Sequence, residues 1–296
     1  RPDQDSWAFA MKFSLANYLV SSFSPCYSFN VNSNNKNFLS KYKEEECPQI
    51  LKPFLPGLII VGPWRGSSED LLIFKETLSR WQLLTGWPIF ADPLGGISFN
   101  QSGLVRNWEL LLPYGFSIPK DGIQILRLGP LPVSRLLETW LQSLGGIQLL
   151  ISEGEPRNLD PLGIAIQWKY GFISWCKCFY NSHPDLPNSP SLDIDNIAQE
   201  WLAIDKQAQN WLDNKLPLRG PITEPSLTRW LSTLLPENLT LMLASSSPVR
   251  DFLTYSGSLA LTRRCFSFRG ASGIDGNISL AIGLSIAIGP LAIVCG

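Results

Sequence analysis

Short apolar runs alternate along the chain with stretches whose apolar positions recur every three or four residues, a pattern that predicts strands interleaved with helices. The first run is residues 58–61. Gly62-Pro63 ends it, and Ser67 and Asp70 then stand at capping-box spacing ahead of a helix running toward Leu84. Ile89-Phe90-Ala91 predicts a short strand closed by Asp92-Pro93, and residues 123–128 predict another. From 133 to 144 the spacing groups Leu136, Leu137, Trp140, Leu141 and Leu144 on one helical face, and Gly145-Gly146 stops the helix before a strand at 147–151. This strand-helix order implies an α/β fold with parallel sheets flanked by helices.

A polar, proline-bearing stretch, 183–195, reads as a linker, so residues 1–182 form one α/β domain and 196–296 begin a second. The Ser-, Asn- and Lys-rich residues 21–46 read as irregular. In the second part the pattern predicts helices at 194–212 and 224–235, a strand at 239–243, a serine-rich turn, and a helix at 277–288 followed by a strand at 291–294. Residues 277–295 carry no charge, a length that approaches a membrane span. Gly289-Pro290 splits them into a helix-length and a strand-length piece, which fits a buried helix-strand unit and not a membrane anchor.

With 296 residues, 45% hydrophobic and 17% charged, the chain has the composition of a globular protein of two domains, and its net charge of -1 offers no field for nucleic acid. Six scattered cysteines lack the density of a secreted disulfide scaffold, so a reducing cytoplasm is expected. Cys176-Lys-Cys178 has no second pair at zinc-ligand spacing, and the single histidine, His183, sits in a polar proline-rich loop. The start Arg1-Pro2-Asp3 has neither an initiator methionine nor a signal peptide, which points to a fragment; on that view the N-x-S/T matches at Asn100, Asn238 and Asn277 are chance. Nucleophile-elbow, Walker and metal-cluster motifs are missing from the sequence.

Ligands of open α/β sheets gather at the carboxyl ends of strands, which singles out a few residues. Ser245-Ser246-Ser247-Pro248-Val249-Arg250-Asp251 places hydroxyls, amides and an arginine at a helix start able to receive an anion; its plainer reading is an N-cap serine and a surface arginine. The glycine-rich loop from Arg269 to Gly276 lets backbone approach a ligand, with Arg269 as a bidentate partner for carboxylate or phosphate. Arg135 opens a helix directly after a strand, either at the ligand edge or as a solvated helix residue. Asp92 and Asp160 read as turn-forming acids.

Taken in order, Trp87 to Leu94, Pro130 to Arg135, Leu159-Asp160-Pro161, Ser246 to Asp251 and the octamer Arg269-Gly270-Ala271-Ser272-Gly273-Ile274-Asp275-Gly276 resemble 2-succinyl-5-enolpyruvyl-6-hydroxy-3-cyclohexene-1-carboxylate synthase, a thiamine-diphosphate enzyme family. The resemblance spans residues 57–296 and departs at Ser245 and Phe268, where the family commonly has Asn. It implies decarboxylation of 2-oxoglutarate and addition of the succinyl-semialdehyde unit to isochorismate, with thiamine diphosphate and Mg2+ or Mn2+ as cofactors. Residues 1–182 would be the family's central domain and 196–296 the truncated first part of its diphosphate-binding domain. Carried over, Arg135, Arg250 and Arg269 bind substrate carboxylates, while Ser246, Gly273 and Ile274 bind the cofactor. No catalytic or metal residue is carried over: the activating glutamate belongs to an upstream domain, and the Gly-Asp metal motif follows the last strand. A cytoplasmic homodimer or dimer of dimers in menaquinone or phylloquinone synthesis is implied; the rival is a non-catalytic carboxylate-binding or regulatory module. A second domain begun but not completed is expected to leave apolar surface uncovered and to self-associate.

Overall fold

The computed structural model describes residues 47–98, 100–116, 122–185, 192–236, 239–257, 264–268 and 275–295. Residues 1–46, with Cys26 and the stretch read as irregular, lie outside these, as do linker residues 186–191 and Asn238.

The first sheet has the order β2-β1-β3-β4-β5 and is parallel throughout. Its strands are β1 (Gly57–Val61), β2 (Ile89–Ala91), β3 (Gln124–Leu128), β4 (Gln148–Ile151) and β5 (Ile166–Trp168). All residues of β1 to β4 are buried, as strands must be when helices cover both faces. Side chains alternate between two cores. Ile59, Val61, Leu126 and Leu128 face α1 (Asp70–Thr85) and α4 (Phe172–Ser182), whereas Leu58, Ile60 and Ile125 face α2 (Trp108–Leu111) and α3 (Arg135–Ser143).

Helix α1 forms for the reason read from the sequence. The Ser67 hydroxyl accepts from the Asp70 amide at 3.0 Å and donates to its carboxylate at 2.7 Å, while Gly86, at φ 65°, ends the helix. Phe74, Leu78 and Trp81 face inward. Trp81 meets Trp87, Trp175 and Phe179 edge-on at centroid distances of 6.0, 5.0 and 5.0 Å. Helix α3 starts two residues later than its periodicity suggests, because the Ser134 hydroxyl caps the Leu137 amide at 2.9 Å.

The second sheet has the order β7-β6-β8, also parallel, built from β6 (Thr240–Leu243), β7 (Cys265–Ser267) and β8 (Leu291–Val294). Helices α5 (Leu192–Lys215), α6 (Glu224–Leu234), α7 (Ser247–Tyr255) and α8 (Asn277–Ile288) accompany it. The last helix and strand have the predicted bounds. Among the described residues no helix is long and apolar enough to cross a membrane.

Helix α5 begins inside the stretch read as linker and joins the two sheets. Trp201 is fully buried among aromatics of the first unit, stacked with Phe90 at 5.7 Å and tilted against Phe116 at 4.5 Å. Near the other end of α5, Asp213 accepts from buried Arg229 of α6 at 2.7 Å, and Arg229 also donates to the Ser256 carbonyl after α7 at 3.1 Å.

Candidate functional site at the strand ends of the second sheet

The two sheets differ in what their carboxyl ends leave open. In the first, the strand order reverses between β1 and β3, where an α/β sheet ordinarily takes a ligand. The crevice there is lined by Gly62, Trp64, Arg65, Gly129, Pro130 and Glu153, but its volume is about 10 Å³, room for a single water. Its loops close on each other: a Cβ added to Gly62 would lie 1.5 Å from the Pro130 carbonyl. Glu153 beside it accepts from the Phe172 amide at 3.0 Å, and burial pushes its carboxyl above the ordinary range.

At the second sheet three strand ends meet beside one turn. The Ala244 amide donates to the Val294 carbonyl of β8 at 2.9 Å, and the Ser245 hydroxyl donates to the carbonyl of Phe268, just beyond β7, at 2.6 Å. Ser246 then precedes α7, whose Pro248 suits the first turn because its ring fixes φ and its missing N–H has no helical partner there. The Ser246 side chain makes no capping bond and is exposed. The plainer reading of this serine, a hydroxyl engaged in its own helix cap, is therefore not what the structure holds. Ser246, the free amides of the α7 N-terminus and exposed Arg250 share one turn and the helix it opens, a donor set suited to an anionic oxygen. Burial pushes the neighbouring Asp251 carboxyl up, reinforced by Glu224 and opposed by Arg250.

Of the other expected site residues, Arg269, Gly273 and Ile274 lie outside the described residues. Gly276, the last of their octamer, sits at φ 81° ahead of α8, and its carbonyl accepts from the Leu280 amide at 2.9 Å. That left-handed conformation requires glycine. Arg135 is exposed at the first position of α3, at the carboxyl end of the other sheet.

One element links the two places. Helix α7 packs against α2, and Glu109 of α2 lies near enough to Ser134, the residue before Arg135, for that hydroxyl to influence its carboxyl. Burial raises the Glu109 carboxyl above its usual range, with Ser134 opposing the rise, and its Oε2 is buried without a hydrogen-bond partner among the described residues. Asp205 of α5 anchors the same helix by accepting from the Asn107 amide and side chain, each at 2.7 Å. Nothing in the local sequence marks either acid, because each is placed by a helix distant in the chain. Asp92 and Asp160 behave as the turn acids expected: Asp92 accepts from the Leu94 amide at 2.8 Å, and Asp160 from the Ile164 and Ala165 amides at 2.7 Å each. Asp160 also carries a buried ion pair with Arg127 that the sequence did not announce.

No family model matches the chain. Whole-chain comparison is more informative. The chain is 50% identical over 252 residues to the 2-succinyl-5-enolpyruvyl-6-hydroxy-3-cyclohexene-1-carboxylate synthase of Prochlorococcus marinus (strain MIT 9303), covering 85% of this chain and 43% of the relative. It is similar to a part of that synthase. The same name belongs to relatives in Prochlorococcus marinus (strain NATL2A), at 48% identity over 250 residues, and in Synechococcus sp. (strain CC9902), at 47% over 246. This chain covers 41% and 42% of those two synthases, so it spans less than half the length of the relatives it matches. Among solved structures, a thiamin diphosphate-dependent enzyme from Mycobacterium smegmatis aligns with 80% of the chain at 15% identity and a TM-score of 0.41, a likeness too slight to bear on function.

Proposed function

We propose that this chain is part of a thiamine-diphosphate-dependent synthase that decarboxylates 2-oxoglutarate and joins the succinyl-semialdehyde unit to isochorismate, forming 2-succinyl-5-enolpyruvyl-6-hydroxy-3-cyclohexene-1-carboxylate for menaquinone or phylloquinone synthesis. The observation that carries the reading is the 50% identity to such a synthase over 85% of the chain. Exposed Ser246 and Arg250 on one ligand-facing turn support it. On this reading residues 1–182 are the central domain, 183–195 the linker and 196–296 the first part of the cofactor-binding domain of a cytoplasmic homodimer.

Both substrates carry carboxylates, and an arginine fork holds a carboxylate by two charge-assisted hydrogen bonds. Arg250 and Arg269 would take those groups at the second sheet, with Arg135 reaching the site from the first. Ser246, with its hydroxyl free of the helix cap, and the backbone at Gly273 and Ile274 would lie against the cofactor. When bound, thiamine diphosphate supplies the electron sink for decarboxylation and carbon-carbon bond formation. On the resemblance, Mg2+ or Mn2+ would be held by the Gly-Asp motif that follows the last strand in the family.

The test is made on the full-length protein that carries this segment, supplied with thiamine diphosphate, Mg2+ and both substrates. Carbon dioxide release and formation of the adduct are expected, and Arg250→Ala lowers kcat/KM by about 10- to 100-fold, the worth of a charged hydrogen bond. A full-length protein that binds the cofactor yet releases no carbon dioxide from 2-oxoglutarate overturns the reading. The alternative of a non-catalytic carboxylate-binding module has one observation in its favour, that the Ser246–Arg250 turn is formed within this chain. It predicts Arg250-dependent binding of isochorismate by the chain alone.

A further inference from the structure

Ser245, a position where the sequence departs from the family it resembles, stands outside the donor set of Ser246, the α7 amides and Arg250. Its surroundings assign it another part. The backbone pairing of β6 with its neighbours stops at Leu243, which stands opposite Ser267 of β7 and Val294 of β8. Beyond that point one bond continues the tie on each side. Toward β8 the Ala244 amide donates to the Val294 carbonyl at 2.9 Å, a bond that any residue but proline supplies. Toward β7 the tie is a side chain: the half-buried Ser245 hydroxyl donates to the Phe268 carbonyl at 2.6 Å.

Plainer roles for this serine fail. A hydroxyl has a single proton, and that of Ser245 is committed to Phe268, so toward an anion it presents only lone pairs. It does not cap α7 either, because the cap position belongs to Ser246. Nor is the bond redundant. The Ser267 hydroxyl also reaches the Phe268 carbonyl, at 3.3 Å, but it does so from the same strand and ties nothing across to the turn.

We infer that Ser245 is a positioning residue: its hydroxyl locks the turn carrying Ser246 and Arg250 to the end of β7, so that these donors are in place before a substrate carboxylate arrives. The inference rests on the proposed function for the identity of that substrate. Donors already ordered bind without an ordering cost, so losing the lock costs affinity. A carboxylate held alike in the ground and transition states puts that cost in KM and not in kcat.

The experiment compares Ser245→Ala, Ser245→Thr, Ser267→Ala and Arg250→Ala with the unaltered full-length protein that carries this segment, supplied with thiamine diphosphate and Mg2+. Initial rates give kcat and KM for 2-oxoglutarate and for isochorismate, and a melting curve checks the fold. Ser245→Ala is expected to raise KM about 3- to 10-fold for the substrate whose KM Arg250→Ala raises, the worth of one hydroxyl–carbonyl bond. Its kcat should stay within about twofold and its melting midpoint within about 2 °C. Ser245→Thr, which keeps the hydroxyl, and Ser267→Ala, which keeps the lock, should both match the unaltered protein. In the double variant of Ser245→Ala with Arg250→Ala the two losses should not multiply, because the lock then has less to hold. An unaltered protein that turns nothing over, or an Arg250→Ala variant without effect, overturns the proposed function and this inference together. Where Arg250→Ala acts as proposed, the inference alone is overturned by an unchanged KM in Ser245→Ala, by a Ser245→Thr variant equally impaired, or by losses that multiply in full. A KM that rises only together with a fallen melting midpoint overturns it too, since the serine then serves the fold at large.

Discussion

The two sheets obey the same α/β logic and reach opposite degrees of closure. In the first, β1 and β3 are buried at every position between two layers of helix, and of the five described tryptophans that are fully buried, four belong to the first unit. In the second, β7 and β8 are half-buried at every described position, and Ile278 and Ile286 of α8 are 68% and 71% exposed. Helix α8 has no charged residue on any side. A helix apolar all round ordinarily lies inside a larger core. The difference teaches that the first sheet is closed on both faces, whereas the second keeps its ligand-facing turn at a surface still open to further packing. Substitutions of equal size should therefore cost very different amounts in the two places.

The largest effect is expected at Trp81. It is fully buried and touches Trp87, Trp175 and Phe179, so Trp81→Ala should destabilise by about 3–5 kcal/mol in denaturant titration. A cost below about 1 kcal/mol would mean the first unit is not closely packed around Trp81.

Next comes the buried pair Arg127–Asp160, joined at 2.7 Å. Burial pulls the guanidinium below its ordinary range, although the Asp160 hydrogen bond and charge oppose that shift, and its Nε and Nη2 have no hydrogen-bond partner among the described residues. Burial also pushes the Asp160 carboxyl up, but the Ala165 and Ile164 amides and Arg127 outweigh it and hold the group below 3.8. The two partners thus register the pair differently, and the 2.7 Å contacts to Asp160 argue that it is formed, with its burial cost falling on Arg127. A depressed carboxyl stabilises the fold above its unfolded value and loses that contribution as pH falls through the folded value. Arg127→Met should cost about 3 kcal/mol and shift acid unfolding to higher pH, with part of the loss recovered in the double variant with Asp160→Asn.

Glu153 gives a smaller effect of opposite sign. Burial raises its carboxyl, with the Phe172 amide opposing and Asp70 reinforcing, so the charged form is the one the fold disfavours. Stability attributable to this group rises as pH falls from the raised folded value toward the ordinary 4.5. Glu153→Gln keeps an acceptor for the Phe172 amide and should raise the melting temperature near neutrality, with the advantage shrinking on acidification. An advantage that does not change with pH would assign the effect to packing.

Much of this division was legible in the chain itself. The helix at 277–288, the strand at 291–294 and the Ser67–Asp70 cap could be read because each is specified by neighbours in sequence: glycine and proline stops, charge-free runs, capping spacing. Strands β5 and β7, three residues each, and helix α4, rich in aromatics and cysteines, escaped because tertiary packing and not local pattern holds them. At the site, Ser246 and Arg250 were found from their place after a strand. Glu109 and Asp205 were not, since the contacts that matter to them come from residues 25 and 98 positions away in the chain, at Ser134 and Asn107.

The smallest change in stability, and the sharpest test of the comparison, is expected on α8. Ile286→Lys alters a side chain that is 71% exposed, so the folded chain should keep its stability within about 0.5 kcal/mol. Its effect should appear in association instead. With Ile278, Ile282 and Ile286 all exposed on one helix and β8 at the edge of its sheet among the described residues, the chain as given is expected to sediment as a concentration-dependent oligomer, and the lysine should shift it toward monomer. If Ile286→Lys instead costs as much as Trp81→Ala, the α8 surface is already buried in solution and the two units are equally closed. If it changes neither stability nor sedimentation, the open surface of the second unit is not what holds copies of the chain together, and the β8 edge becomes the place to substitute next.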